Sequence, residues 1–339
     1  MNRIIQGDAL ERLRELPAAS VDCCVTSPPY YQLRDYGVEG QIGLEETVEE
    51  YIGKLVNIFR EVRRVLKKDG TLWLNISDSY AGSTKGAARS AENARKYKQG
   101  TNKGLLGSGL RATPLNGCKP KDLLGIPWIL ALALRNDGWY LRQDIIWQKP
   151  NPMPESVKDR CTKSHEYIFL LSKSRKYYFD GEAIAEPAAV STLKRLSQNV
   201  EKQLGSERVQ GKTNGPMKAV KPRYGGKKYT EDPEVFNRTK SGTLYDYTLK
   251  RNKRDVWTVT TKPFRGAHFA TFPQDLIVPC VLAGSRVGGV VLDPFAGSGT
   301  TGVVAAVNGR RYVLIELSEN YVEICKERLN SNEHEKEIQ

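Results

Sequence analysis

Short runs of apolar and β-branched residues alternate with helical stretches along most of the chain, and this alternation limits the fold more than any other feature. The stretch 48–66 repeats apolar residues at helical spacing and is followed by Gly70, a common stop signal. The other predicted helices span 9–16, 123–134 and 319–329, and the predicted strands span 3–5, 21–25, 71–76, 141–147, 166–171, 289–292 and 312–317. This pattern predicts an α/β fold, with helices on both faces of a mostly parallel, doubly wound sheet.

The charge balance of the chain is strongly basic. Among 339 residues, 52 Lys and Arg exceed 39 Asp and Glu, which gives a formal net charge of +13 at pH 7. Such an excess favours a polyanionic partner through neutralisation of phosphates, although a basic soluble surface alone would also account for it. The hydrophobic content of 39% suffices for one large core, or for a core and a smaller lobe.

Cysteine spacing and the first residues indicate the compartment. The six cysteines form no CxxC pair and have no metal-like spacing with the three histidines, so we predict a reduced protein without a metal site. The opening residues, MNRIIQGDAL, lack the long apolar region of a signal peptide, and no apolar run reaches membrane-spanning length. We therefore expect a cytoplasmic protein with no membrane contact.

Two basic segments interrupt the regular alternation. Residues 83–111 carry seven Lys or Arg against the single acid Glu92, with five glycines, and we predict a mobile loop there. Residues 191–254 carry sixteen basic residues against six acidic ones, interleaved with four tyrosines and one phenylalanine. Charge mixed with aromatic rings favours nucleic acid binding, although a surface insertion remains the alternative for both segments.

A glycine-rich loop lies in the last fifth of the chain, in the sequence VVLDPFAGSGTTGVVAA at 290–306. An apolar strand ends at Asp293, glycines allow a ligand to approach the backbone, and the following helix offers unpaired N–H groups. The P-loop lysine is missing from this loop. Glu316 ends the next strand, where an acid can accept hydrogen bonds from ribose hydroxyls. A cofactor with a ribose and no obligatory phosphate suits this pair, and S-adenosyl-L-methionine is such a cofactor.

A second unusual loop, VTSPPYYQLRDYG at 25–37, follows a predicted buried strand. Together, TSPPY at 26–30 and DPFAGSGTT at 293–301 resemble the signature of DNA methyltransferases that modify exocyclic amino groups. The catalytic motif precedes the cofactor motif, as in the circularly permuted β class of that family. Further similar stretches are IIQGDALERL at 4–13, GWYLRQDIIWQKPNPMPES at 138–156, KSHEYIFLL at 163–171 and HFATFPQDL at 268–276.

The resemblance implies a catalytic role for the SPPY residues. An exocyclic amine is a poor nucleophile because its lone pair is delocalised into the ring, so acceptors aimed at its hydrogens would activate it. Ser27 offers a hydroxyl oxygen, Pro28 offers a carbonyl, and Pro29 stiffens the backbone. Tyr30 offers a ring for a base extruded from the duplex. The methyl group would then pass directly to nitrogen, without a covalent enzyme intermediate.

The resemblance also implies a cofactor site. Asp8 would contact the adenine and Glu316 the ribose, although Asp8 alternatively caps the following helix. Phe272 and Pro273 would wall the pocket, with a core position as the alternative for Phe272. The methionine end would lie among Asp293, Phe295, Gly297 and Ser298, and Thr26 and Gly299 complete the expected site.

The serine of SPPY favours N4 of cytosine as the target, with N6 of adenine as the alternative. An inactive DNA-binding protein and an RNA-modifying relative are further alternatives. The expected partner is double-stranded DNA, with a cognate restriction endonuclease and a second copy of the chain as candidates. We expect a catalytic half at 1–185, which includes the loop 83–111, a target recognition region at 186–256, a cofactor-binding half at 257–330 and a tail at 331–339.

Overall fold

The structure is a computed structural model that describes residues 2–81, 118–189, 191, 250–261 and 272–337. The basic segment 83–111, most of 191–254 and the first part of HFATFPQDL lie outside the described residues. The chain divides into two units, one formed by Met1–Asp180 with Asp255–Gln339, the other by Gly181–Arg254. The predicted boundaries at 185 and 256 stay a prediction.

An eight-stranded sheet forms the centre of the first unit, in the order β1-β10-β9-β2-β3-β5-β4-β8. These strands are β1 (Arg3–Gln6), β2 (Val21–Thr26), β3 (Leu66–Ile76), β4 (Tyr140–Gln148), β5 (His165–Ser172), β8 (Val256–Thr258), β9 (Val290–Asp293) and β10 (Arg311–Glu316). Pairing is parallel from β1 through to β3 and between β4 and β8, whereas β5 runs antiparallel to β3 and β4. The mostly parallel sheet is confirmed.

Six helices are described: α1 (Ala9–Arg14), α2 (Val48–Val65), α3 (Ile126–Asn136), α4 (Gln274–Gly284), α5 (Thr300–Val307) and α6 (Glu319–Glu337). The first three share a core cluster with Cys24 and Leu72. The last three adjoin the other face, where Gly284 of α4 lies against Cys23 and Gly302 of α5 lies against Leu314. Since neighbouring strand residues point to opposite faces, the sheet is covered on both sides, as a doubly wound fold requires.

The start of α3 differs from the prediction. The expected helix 123–134 begins at Ile126, because Gly125 adopts a left-handed backbone with φ of 75° and Pro127 occupies the first turn. The carboxylate of Asp78 accepts hydrogen bonds from the amides of Gly125 and Ile126 at 3.0 and 3.1 Å. A side chain from the loop after β3 therefore sets where this helix begins.

The second unit contributes one pair of short strands to the described residues. Strands β6 (Glu186–Pro187) and β7 (Lys250–Arg251) pair antiparallel. Glu186 forms ion pairs with Arg251 and Lys253, each at 3.3 Å. The helices within the described ranges are too short or too polar to span a bilayer.

Candidate active site

A cavity opens where the carboxyl ends of β1, β2, β9 and β10 meet, within the first unit. Ligands of doubly wound sheets bind at this edge. Nine of the predicted site residues line it: Asp8, Ser27, Pro28, Pro29, Tyr30, Phe272, Phe295, Gly297 and Glu316. The two motifs, which are separated by more than 250 residues, thus form walls of one cavity.

Asp293 lies behind this wall, buried to 1% exposure. Its Oδ1 accepts the hydroxyl of Thr26 at 2.6 Å and the amide of Phe295 at 3.0 Å, and its Oδ2 accepts the hydroxyl of Thr301 at 2.7 Å. Burial raises the pKa of Asp293 to about 6, against the lowering effect of the two hydroxyls. The carboxylate therefore fixes the glycine loop to the end of β2.

Ser298 and Gly299 also lie outside the described cavity wall. Ser298 is fully buried, and Arg328 of α6 donates to both its carbonyl and its hydroxyl at 2.6 Å. Gly299 has φ of 78°, and a Cβ there would lie 3.0 Å from the Cys325 sulfur. The contacts of Ser298 and Gly299 thus hold the backbone of the loop in place. Pro273 also lies outside the cavity wall, at the N-cap of α4.

Glu316 faces the cavity from the end of β10. Its carboxylate accepts the amides of Gly297 and Ser318 at 2.8 and 2.9 Å. Burial raises the pKa of Glu316 to about 7, although the two amides oppose this shift. Asp8 adjoins the same cavity and accepts the Glu11 amide at 3.0 Å, so capping of α1 and a place in the site coexist.

The SPPY loop is fixed by hydrogen bonds to other elements. Tyr51 of α2 donates its hydroxyl to the carbonyl of Pro29 at 2.8 Å. Tyr30 Oη donates to Glu166 Oε2 at 2.6 Å and lies 3.1 Å from Asn75 Oδ1. Burial, and then the nearby charge of Glu166, raise the pKa of Tyr30 well above its usual value, so its hydroxyl stays protonated.

Several site residues were missed by the sequence analysis. Glu166 is the second residue of β5, next to the end of β4, and it contacts Lys149, Asn75 and Tyr30. The stretches WQKP and SHEY place the base Lys149 and the acid Glu166 at two strand ends, and this pattern could have indicated the pair. Tyr36 and Tyr321 line the cavity on the Glu316 side, with ring centroids 6.3 Å apart at 80°.

The chain is similar to known DNA methylases along most of its length. Residues 21–327 match the N6/N4 family of DNA methylases. The chain is 47% identical to the Type II methyltransferase M.SmaI of Serratia marcescens, over 96% of this chain and 90% of that protein. It is 45% identical to M.Cfr9I of Citrobacter freundii, over 97% and 88%.

Two solved structures share the fold. The cytosine-N4-specific PvuII DNA methyltransferase superposes with a TM-score of 0.58 at 16% identity, over 98% of this chain and 91% of that one. A protein of Thermus thermophilus described as a DNA modification methylase, solved with S-adenosyl-L-methionine, gives 0.54 at 23% identity over 98% and 96%. The match across nine-tenths of the sequence and the shared fold confirm the resemblance seen in the motifs: the chain belongs to the N6/N4 family of DNA methyltransferases, which depend on S-adenosyl-L-methionine.

Proposed function

We propose that this Type II DNA methyltransferase transfers a methyl group to N4 of cytosine in double-stranded DNA. The observation that carries the proposal is the position of Ser27 on the cavity wall that also contains Glu316. Serine at this position supplies a neutral hydroxyl oxygen, which can accept a hydrogen from the amine and donate its own hydrogen elsewhere. N6 of adenine is the alternative target.

The cofactor would lie along the wall from Asp8 to Gly297. We assign the ribose to Glu316, the adenine to Asp8 and Phe272, and the methionine end to the loop of Phe295 and Gly297. Bound S-adenosyl-L-methionine supplies an electrophilic methyl group. Since Tyr36 and Tyr321 adjoin Glu316, we also assign them to the ribose and adenine side of the site.

The target base has to leave the duplex to reach Ser27, because its amine is inaccessible inside the base stack. In our proposal the ring of Tyr30 stacks on the extruded base, and Ser27 Oγ with the Pro28 carbonyl accept its two amine hydrogens. Tyr51 restrains the loop through Pro29. Fixed geometry of this kind favours direct transfer, since proximity and alignment lower the barrier.

DNA binding would use the basic excess of the chain. We assign target recognition to the segment within 186–256 and phosphate contacts to both basic segments, in keeping with the net charge of +13. The cytosine specificity of PvuII methyltransferase is compatible with the same fold. A cognate endonuclease and a second copy of the chain remain predicted partners.

The test is expression of the gene in a host free of DNA methylation, followed by genome sequencing that distinguishes N4-methylcytosine from N6-methyladenine. We expect N4-methylcytosine at one recurrent short sequence. A strain that carries Ser27→Ala serves as the control for background signal. N6-methyladenine at a recurrent site would replace the proposed target by adenine, and an unmethylated genome would favour an inactive DNA-binding protein.

A further inference from the structure

A chain of polar atoms leads away from Ser27 into the protein. Ser27 Oγ lies 3.4 Å from Tyr30 Oη, and Tyr30 Oη donates to Glu166 Oε2 at 2.6 Å. The other oxygen of Glu166 forms an ion pair with Lys149. Glu166 is buried to 8% exposure, so this carboxylate lies inside the fold with its charge balanced by one lysine.

Packing of the fold alone does not require an acid at this position. Tyr51 already restrains the loop through Pro29, and Asn75 already holds β5 by donating to the Tyr167 carbonyl at 3.1 Å. A buried ion pair of this kind contributes little stability, because desolvation offsets the attraction of the charges. A buried charge pair that reaches the reacting centre through the hydroxyls of Tyr30 and Ser27 is therefore a candidate for a chemical role.

We propose that Glu166 receives, through Tyr30 and Ser27, the proton that the target amine loses on methylation. Methyl transfer leaves a positively charged nitrogen, whose N–H bond breaks while the electron pair stays on nitrogen. The proton passes to Ser27 Oγ, the Ser27 hydroxyl proton to Tyr30 Oη, and the Tyr30 proton to Glu166 Oε2. Ser27 and Tyr30 end neutral, and Glu166 becomes a carboxylic acid.

The surroundings of Glu166 suit this role. The cations near it are Lys149 after β4 and Lys163 before β5, and Asp78 lies beyond Lys163. Lys163 donates to Ser77 Oγ and to the Asp78 carbonyl at 2.8 and 2.7 Å, which leaves Lys149 as the direct partner of the acid. The carboxylate that would receive the proton thus has one direct ion-pair partner, Lys149.

The separation of 3.4 Å between Ser27 and Tyr30 exceeds an ordinary O–H···O hydrogen bond. Catalytic hydrogen bonds are often long in empty sites and shorten when the substrate binds. The extruded base would stack on the ring of Tyr30 and donate to Ser27 at the same time, and proton transfer requires the contact between the two residues to shorten in that complex. This proton relay rests on the proposed role of Ser27 and holds for either target base.

The experiment measures the single-turnover rate of methyl transfer, at saturating S-adenosyl-L-methionine and DNA, as a function of pH. Glu166→Gln keeps the shape of the side chain and an oxygen that can accept a hydrogen bond from Tyr30, but it removes the carboxylate that would take up the proton. We expect a rate loss on the order of a hundredfold, unchanged cofactor affinity, and a pH–rate profile that differs from that of the wild type. Glu166→Asp should recover part of the rate.

Two further variants separate relay from structure. Tyr30→Phe keeps the ring but removes the hydroxyl. Because Tyr30→Phe and Glu166→Gln interrupt the same proton path, the double variant should transfer the methyl group no more slowly than the slower of the two single variants. Glu166→Gln alone leaves the Lys149 ammonium without its partner and could reduce folding. The double variant Lys149→Met with Glu166→Gln removes both charges, and we expect its rate of methyl transfer to stay below that of the wild type. Asp137→Asn removes the acid of a surface ion pair with Arg60 and should transfer at the wild-type rate.

Failure has distinct forms. A wild-type rate for Glu166→Gln, additive losses with Tyr30→Phe, or an unchanged pH profile would overturn the relay. If Ser27→Ala transfers at the wild-type rate, the proposed catalytic role of Ser27 fails as well. If Ser27→Ala is slow while Glu166→Gln is not, the relay alone is wrong.

Discussion

Thr26, the last residue of β2, donates its hydroxyl to Asp293, the last residue of β9, across 2.6 Å. The two strands are paired neighbours, although 267 positions separate these residues in the sequence. Both side chains are buried, at 0% and 1% exposure. The loop of Ser27 and the glycine loop thus start from one fixed point, which sets the distance between the reacting amine and the methyl donor in the proposed reaction.

Replacing Thr26 by Val tests this connection, because Val has the same shape without the hydroxyl. We expect unfolding free energy to fall by about 1–3 kcal/mol, since a buried carboxylate oxygen loses a donor. Urea denaturation measures the change. The control is Thr258→Val, which removes the exposed hydroxyl that donates to Gln148 at 2.8 Å. Equal stability of the two variants would contradict the buried role of Thr26.

Local sequence patterns predicted the elements whose apolar residues have a clear period. Helix α2 begins and ends within one residue of its prediction, because Thr47 caps it and its apolar face has helical spacing. Helix α4 was not predicted. It is apolar on most sides, lies against the sheet and contains Pro279, so it shows no amphipathic period.

The same distinction applies to the site. Ser27 and Glu316 were predicted because Ser27 directly follows a strand and Glu316 ends one, each next to a distinctive loop, and both line the cavity. Glu166 was not predicted, because its contact with Tyr30, 136 positions away, depends on the order β2-β3-β5 in the sheet. Its contact with Lys149 depends on the antiparallel pairing of β4 and β5. No local period encodes either arrangement.

Cofactor affinity should depend on pH through Glu316, whose pKa burial raises to about 7. Ribose hydroxyls donate to the ionised carboxylate, so binding strengthens as pH rises through this value. Between pH 6 and 8 we expect the Kd for S-adenosyl-L-methionine to fall about tenfold. Calorimetric titration measures the effect.

Glu316→Gln should bind the cofactor more weakly and with little pH dependence. Glu323→Gln, which removes an exposed acid of α6 paired with Lys326, should retain the wild-type profile. A wild-type Kd that rises with pH over this range would place the ribose elsewhere.

The free energy of unfolding of the wild type, relative to that of Asp293→Asn, should decrease as pH rises. Its pKa is about 6 in the fold against 3.8 for the unperturbed group, so the folded state binds the proton more tightly. Its stabilising contribution is complete below the unfolded pKa and is lost as pH rises through 6, a change of about 3 kcal/mol. Urea denaturation of wild type and Asp293→Asn at pH 4, 5, 6 and 7 measures it. A wild type that gains stability over the variant as pH rises has the wrong sign for a buried, desolvated carboxylate.

Ser27→Ala should slow methyl transfer by about a hundredfold or more, by analogy with loss of one transition-state hydrogen bond. Cofactor affinity should stay unchanged, because Ser27 is not among the residues that we assign to the cofactor. Ser20→Ala is the control, since its hydroxyl donates to the Pro17 carbonyl at 2.7 Å in an exposed turn. Turnover of Ser27→Ala at the rate of this control would exclude Ser27 as an essential acceptor.

We expect the basic segment 191–254, which we assign to target recognition, to determine the DNA sequence that the protein methylates. Strands β6 and β7 pair Glu186 with Arg251, so the residues between them start and end at adjacent points of the second unit. Replacement of 190–249 by the same segment of a relative with another target site therefore keeps both ends of the segment. We expect the target sequence to switch while the Kd for S-adenosyl-L-methionine is unchanged.

Single Lys and Arg substitutions in the segment should divide into two groups in binding titrations at several salt concentrations. Loss of a phosphate contact weakens all sequences alike and lowers the salt dependence, whereas loss of a base contact relaxes one position of the site. A matched exchange of 83–111 should leave the target sequence unchanged. If the chimaera of 190–249 instead methylates the original site while the exchange of 83–111 alters it, recognition resides in the first basic segment.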